Sequence, residues 1–209
     1  MPSIALEDRA PAEIQNAALA AMRAKGWVHS TGTVKIGDLT LRTVTHTGPQ
    51  FGTQAITAAS VTVELRFVGE VLYFKGNRQA LDLLLAAPSS TAQKYAGKWL
   101  SVSVADYGYA ELSEGLTMES LITSLALSGD MAKTKITKIA GTRVIGVTGG
   151  LPLGEGTATI YVALDGPPLV VRYAVKGKEG SATADLGDWG KHFNVKAPAN
   201  ATAAIDIAG

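Results

Sequence analysis

Residues 60–69, SVTVELRFVG, alternate without a break: Val61, Val63, Leu65 and Phe67 fall on one side of an extended chain, Thr62, Glu64 and Arg66 on the other. Successive side chains of a strand point to opposite faces, so this run predicts a strand with one dry and one wet face. EVLYFKG (70–76) follows directly after Gly69 and contributes Leu72 and Phe74. A connection this short predicts an antiparallel pair.

The same chemistry extends outward in both directions. Upstream, WVHSTGTVKIGDLTLRTVTHTG (27–48) reads as two Thr/Val-rich strands joined at Gly37-Asp38. Before it, PAEIQNAALAAMRAK (11–25) changes period: Ile14, Ala17, Ala18, Ala21 and Met22 make one helical stripe, and Gly26 is the stop. Downstream, NRQALDLLLAAPSSTAQKYAG (77–97) predicts two helices broken at Pro88, with Leu84 on the first and Ser89 or Ser90 as cap of the second. GKWLSVSV (97–104) is a short strand candidate. TMESLITSLALSG (117–129) predicts a helix carrying Leu121, Ile122 and Leu125, with Gly129 past its end.

From Lys133 onward strand follows strand: KTKITKIAG, TRVIGVTGG, GTATIYVALDG, PLVVRYAVKG, SATADLGDW and HFNVKAPA, separated by Gly and Asp-Gly-Pro-Pro turns. No repeat, linker or break in composition divides the 209 residues, which predicts one domain over 1–209 with an N-terminal helix at 11–25 and a helical insert at about 77–127. The expected fold class is α+β: a large curved antiparallel sheet of about eleven strands, a half-barrel, with helices covering its concave face. On this basis DWGKHFNVKAPA (188–199) is the closing strand.

Composition narrows the function. The chain is 46% hydrophobic and 18% charged, which argues against disorder, and its net charge of +1 gives no electrostatic footprint for nucleic acid. With no cysteine there is no disulfide, thiolate metal site or cysteine nucleophile within these residues. His29, His46 and His192 each sit in a strand candidate with polar neighbours, where a surface or rim position is expected. No metalloprotease, serine-nucleophile or phosphate-loop signature occurs. The expectation is a non-enzyme with no cofactor and no metal.

With TRVIGVTGG, Asp165-Gly166-Pro167-Pro168, FVGEVLYFKG and the ending Trp189-Gly190, Val195 and Pro198 in place, the chain resembles the actinobacterial lipoproteins of the LppX and LprG family, and more distantly the carrier LolA. The resemblance implies a half-barrel that holds acyl chains of a lipid or acylated glycolipid in a hydrophobic cavity between sheet and helices. It also implies a monomer in the cell envelope, membrane-anchored or secreted, although the family's signal and acylated cysteine are not in this sequence. By alternation the expected cavity lining is Val61, Val63, Leu65, Phe67, Leu72, Phe74, Ile160, Val162, Val171 and Tyr173, with Leu84, Leu121 and Leu125 from the insert. A shift of one residue would invert each strand set. The alternative is an envelope protein-binding or sensor module of the same fold that transports no lipid.

Overall fold

A computed structural model describes residues 4–104, 109–151, 155–178 and 180–204, with the side chain of residue 111 excepted. Helix α1 (Pro11–Lys25) begins with proline in its first turn, and Gly26 ends it in the left-handed region at φ 69°. Strands β1 (Val28–Ile36), β2 (Leu39–Thr47), β3 (Phe51–Thr57), β4 (Thr62–Val68) and β5 (Val71–Gly76) follow. The insert comprises α2 (Arg78–Leu85), α3 (Ser89–Tyr95), β6 (Leu100–Val102), α4 (Tyr109–Ser113) and α5 (Met118–Leu125). Then come β7 (Ser128–Lys133), β8 (Thr137–Ile139), β9 (Thr142–Gly150), β10 (Thr157–Ala163), β11 (Val170–Lys176), β12 (Gly180–Gly187) and β13 (Thr202–Ala203).

The thirteen strands form one open sheet in the order β13-β6-β5-β4-β3-β2-β1-β12-β11-β10-β9-β7, with β8 also pairing with β9. All pairings are antiparallel except β13 with β6. This is the expected half-barrel. The count exceeds eleven because β3, β7 and β13 lie outside the strand runs named above, whereas HFNVKAPA (192–199) forms no strand.

Register sets the two faces. Val28 of β1 packs with Ile14, Ala18 and Met22 of α1, so the even positions of β1 and their cross-strand partners form the inner, helix-covered face. Two separate cores lie on that face. One gathers Val63 and Leu65 of β4, Leu72 and Phe74 of β5, Leu100 and Val102 of β6, and Ala80, Leu81 and Leu85 of α2. The other joins Ile14, Ala18 and Met22 of α1 and Ile122 and Leu125 of α5 to Ile145, Val147, Ala158, Ile160, Val162 and Leu186.

Local chemistry places each cover. Asn77 accepts a hydrogen bond from Ala80 N and caps α2, and Thr117 does the same for Ser120 N at α5. At α3 the expected serine cap is absent: Pro88 occupies that position and Ser89 is already helical. The α5 helix stops at Leu125, and Gly129, expected as its terminator, lies inside β7 instead.

The buried Gln15 locks α1 to the link between α5 and β7, donating from Nε2 to Leu127 O (3.3 Å) and accepting from Leu127 N (2.7 Å). Gln15→Leu would orphan both Leu127 groups, with an expected loss of about 1–3 kcal/mol. Urea unfolding checks it: the midpoint falls, and the unfolding free energy extrapolated to water drops by that amount.

One expectation is corrected. Residues 188–199 are not the closing strand: 191–201 pair with no strand, and the chain re-enters the sheet only at β13. Both edges of β12 are already taken, by β1 and β11. Asp188 and Gly190, at φ 51° and 78°, turn the chain onto the outer face instead.

Candidate functional site

The inner face divides into three zones. At its lower end, where β1 starts, the loop between α4 and α5 is stitched to the strands: Thr47 Oγ1 donates to Gly115 O (2.7 Å) and Met118 N to Gly48 O (2.8 Å). Gly52 lies directly beneath Leu116, where a Cβ would collide with the Leu116 carbonyl. The two flanks are the helix-packed cores. That leaves the upper inner face of the central strands, carrying Val34 and Ile36 of β1 and Leu39 and Leu41 of β2, paired Val34↔Leu41 and Ile36↔Leu39.

These residues are apolar and not fully covered. Val34 and Leu41 are half-buried, while Ile36 and Leu39 are 51% and 41% exposed at the tip of the β1–β2 hairpin. A cleft of about 510 Å³ opens beside them, lined by Val34, Ile36, Val175 and Ala182 with Lys35 and Glu155 at its edge. A second, of about 500 Å³, opens at the upper ends of β3, β4 and β5 and includes Ile56, Val63 and Gly76. In strand order β2 stands between the two.

The thirteen residues expected to line a cavity separate by burial. Val61, Val63, Leu65, Leu72 and Phe74 belong to the first core, and Leu125, Ile160 and Val162 to the second. Phe67 and Leu84 are only partly buried against the first, Leu121 and Tyr173 against the second. Val171 is in neither core. The β10–β11 pairing shifts between Tyr161 and Val162, so Val170 takes the inward place opposite Val162 and Val171 is left half-buried. The alternation named Val171 because a bulge has no sequence signature of its own.

Several polar groups around the cores are partnered, whereas the buried Trp189 Nε1 beside the second core has no hydrogen-bond partner among the described residues. Burial pushes the Tyr173 phenol up to about 12, and its hydroxyl donates to Ser124 O (3.2 Å) across the gap to α5. Thr45, buried on β2, accepts from Gln54 Nε2 (3.0 Å). Arg23 of α1 holds Glu119 of α5 through two hydrogen bonds of 2.7 and 2.8 Å, which draws the Glu119 carboxyl below its usual range.

The histidines are elsewhere. His29 and His46 face each other across β1 and β2 on the outer face, and His192 stacks on Trp27 beside them. His46 Nδ1 lies 3.4 Å from Thr53 Oγ1, and the Phe193 ring packs against the His46 ring. Among the described residues no group of three His, Asp or Glu side chains is placed to hold a metal ion.

No protein-family model matches the sequence, and no curated protein sequence matches it. The fold is similar to that of the Mycobacterium tuberculosis lipoprotein LppX, with a TM-score of 0.61 at 17% identity over 90% of this chain and 100% of that one. It is likewise similar to LprF from Mycobacterium bovis, with a TM-score of 0.55 at 16% identity over 91% and 97% of the two chains. The sequence resemblance and the fold therefore agree.

Proposed function

We propose that the protein is a non-enzymatic extracytoplasmic carrier that holds acyl chains of a lipid against the upper inner face of its half-barrel. The carrying observation is the gap between the two cores, bordered by Ile56 and Val175, where Val34 and Leu41 remain half-buried and Ile36 and Leu39 stay exposed beside clefts of about 510 and 500 Å³. Clefts of this size fall within the range of small-molecule sites, roughly 300–1,000 Å³. Each acyl CH₂ leaving water gains about 0.8 kcal/mol, so ten such groups offset the cost of immobilising the chain without any catalytic group. Of the expected lining residues, the fully buried ones serve the cores, and Phe67, Leu84, Leu121 and Tyr173 are partly buried against them.

Likeness of fold to two mycobacterial lipoproteins supports a place in the cell envelope, and an acylated glycolipid is the finer ligand class. Lys35 and Glu155 at the edge of the larger cleft give a headgroup polar contacts where the acyl chain emerges. Purified protein extracted with organic solvent should yield acyl lipid near one molecule per chain, and delipidated protein should take up a fluorescent fatty acid that competitor lipid displaces. Protein with no extractable lipid and no probe uptake would sink the carrier reading and favour the sensor module.

A further inference from the structure

The outer face carries a feature that lipid carriage does not use. After β12 the chain leaves the sheet at Asp188, Trp189 packs against the second core, and residues 190–201 cross the outer face with three attachments before Ala204 is buried in the first core. At the first, Gly190 N donates to Trp27 O (2.8 Å), the His192 ring stacks on Trp27 (centroids 5.1 Å) and Phe193 meets Trp27 edge-on (4.6 Å). At the second, Arg66 Nη1 on β4 donates to Lys196 O (3.3 Å). At the third, Thr202 N donates to Trp99 O (3.0 Å) and β13 lies along β6.

Under the first attachment lies an ionisable cluster. His29 and His46 are directly opposite in register with ring centroids 4.7 Å apart, and Phe193 covers His46 at 5.1 Å. A small pocket of about 90 Å³ is lined by both histidines together with Asp188, Lys191, His192 and Phe193. All three histidines of the chain thus meet where the segment first touches the sheet.

We infer that residues 190–201 form an acid-released strap, docked on the outer face while His46 is neutral and freed when its imidazole takes up a proton. His46 is faced by His29 from β1, by the uncharged Thr53 from β3, and by Asp188, Lys191 and His192 from the strap. Burial is the largest influence holding the His46 imidazole below its ordinary value of 6.5; His29 and Lys191 push the same way and Asp188 opposes them. The Asp188 carboxylate is shared with Lys191 at 3.9 Å, which limits that opposition.

The direction follows from linkage. The docked form binds its proton less readily than a solvated histidine, so docking is at full strength above 6.5 and is lost as pH falls from 6.5 towards the lower docked value. Lifting Phe193 returns the protonated His46 ring to water. Between Phe193 and Thr202 the one hydrogen bond to the sheet among the described residues is that of Arg66 to Lys196 O, so loosening the first attachment frees residues 190–201 while Trp189 and β13 stay packed.

The chain has no cysteine, so a nitroxide pair can be placed at Ala197→Cys on the strap and Thr40→Cys on β2, both exposed sites. Pulsed electron spin resonance should give one narrow distance at pH 7.5 and, at pH 5.0, a broad distribution in at least half of the molecules. Circular dichroism at pH 5.0 should show the sheet intact. Adding His29→Asn and His46→Asn, or His46→Asn alone, should keep the distance narrow at both pH values. A narrow distance at pH 5.0 without these changes, or equal broadening with them, overturns the inference.

Discussion

Gly52→Ala is expected to lower the thermal midpoint by roughly 6–12 °C, a loss of about 3 kcal/mol in a chain of this size. The added Cβ would meet the carbonyl oxygen, carbonyl carbon and Cα of Leu116, all backbone atoms. That loop cannot retreat without breaking the Thr47–Gly115 and Met118–Gly48 hydrogen bonds on either side of Leu116. Neither can β3 move away, because Gly52 is in register with Thr47 on one neighbour and Phe67 on the other. Overpacking against a flexible side chain costs less than overpacking against backbone, which puts this change at the upper end of its class. Scanning calorimetry decides it: an unchanged midpoint would mean that the insert is not held at this point.

The second large effect concerns the ligand. Val34→Asp should weaken fatty-acid probe binding at least thirtyfold, equivalent to about 2 kcal/mol, while leaving the fold intact. Val34 is on the inner face, lines the larger cleft and is half-buried, so it belongs to neither packed core. A carboxylate set there would be desolvated by an incoming acyl chain, and the aspartate stem is too short to carry its charge out to water as a lysine would. The matched control is Val44→Asp, on the outer face of β2 and 43% exposed, which should leave binding within twofold. Titration of both variants with the same probe, beside their circular dichroism spectra, separates lost affinity from lost fold. Equal binding by Val34→Asp and the unmodified chain would remove the upper inner face from consideration.

Most of the architecture was legible because it rests on alternation and turn chemistry. Period alone assigns Val61, Val63, Leu65 and Phe67 to one face; β3 and β5 confirm it by register for Val63, Leu65 and Phe67, and Val61 joins the first core. Pro88 divided two helices as its missing donor requires. What failed depended on information from distant parts of the chain. HFNVKAPA alternates like a strand, but a strand needs a free edge, and β12 has none left. Val171 was lost to a bulge, and α4 is too short for its period to register.

The candidate site itself left a fainter trace. Ile36 and Leu39 flank Gly37-Asp38 at a hairpin tip, where polar residues are the ordinary choice, and that apolar pair was the available signal. Its meaning required knowing that the helices pack on the flanks of the sheet and leave the centre bare. Helix placement of that kind is a property of tertiary packing, and local propensity does not encode it.

The pairing of β1 with β12 has a consequence for how the chain is made. Val28–Ile36 and Gly180–Gly187 are separated by some 150 positions, yet their eight cross-strand partners hold the two halves of the sheet together. Closing so long a segment is entropically slow, and emergence from the ribosome or a translocon delivers β12 late, ahead of β13 alone among the named strands. Until then β1 presents an unfilled edge, so a nascent molecule depends on chaperone protection through nearly the whole of its synthesis, and C-terminal truncation before residue 180 should leave an aggregating fragment and not a smaller working domain.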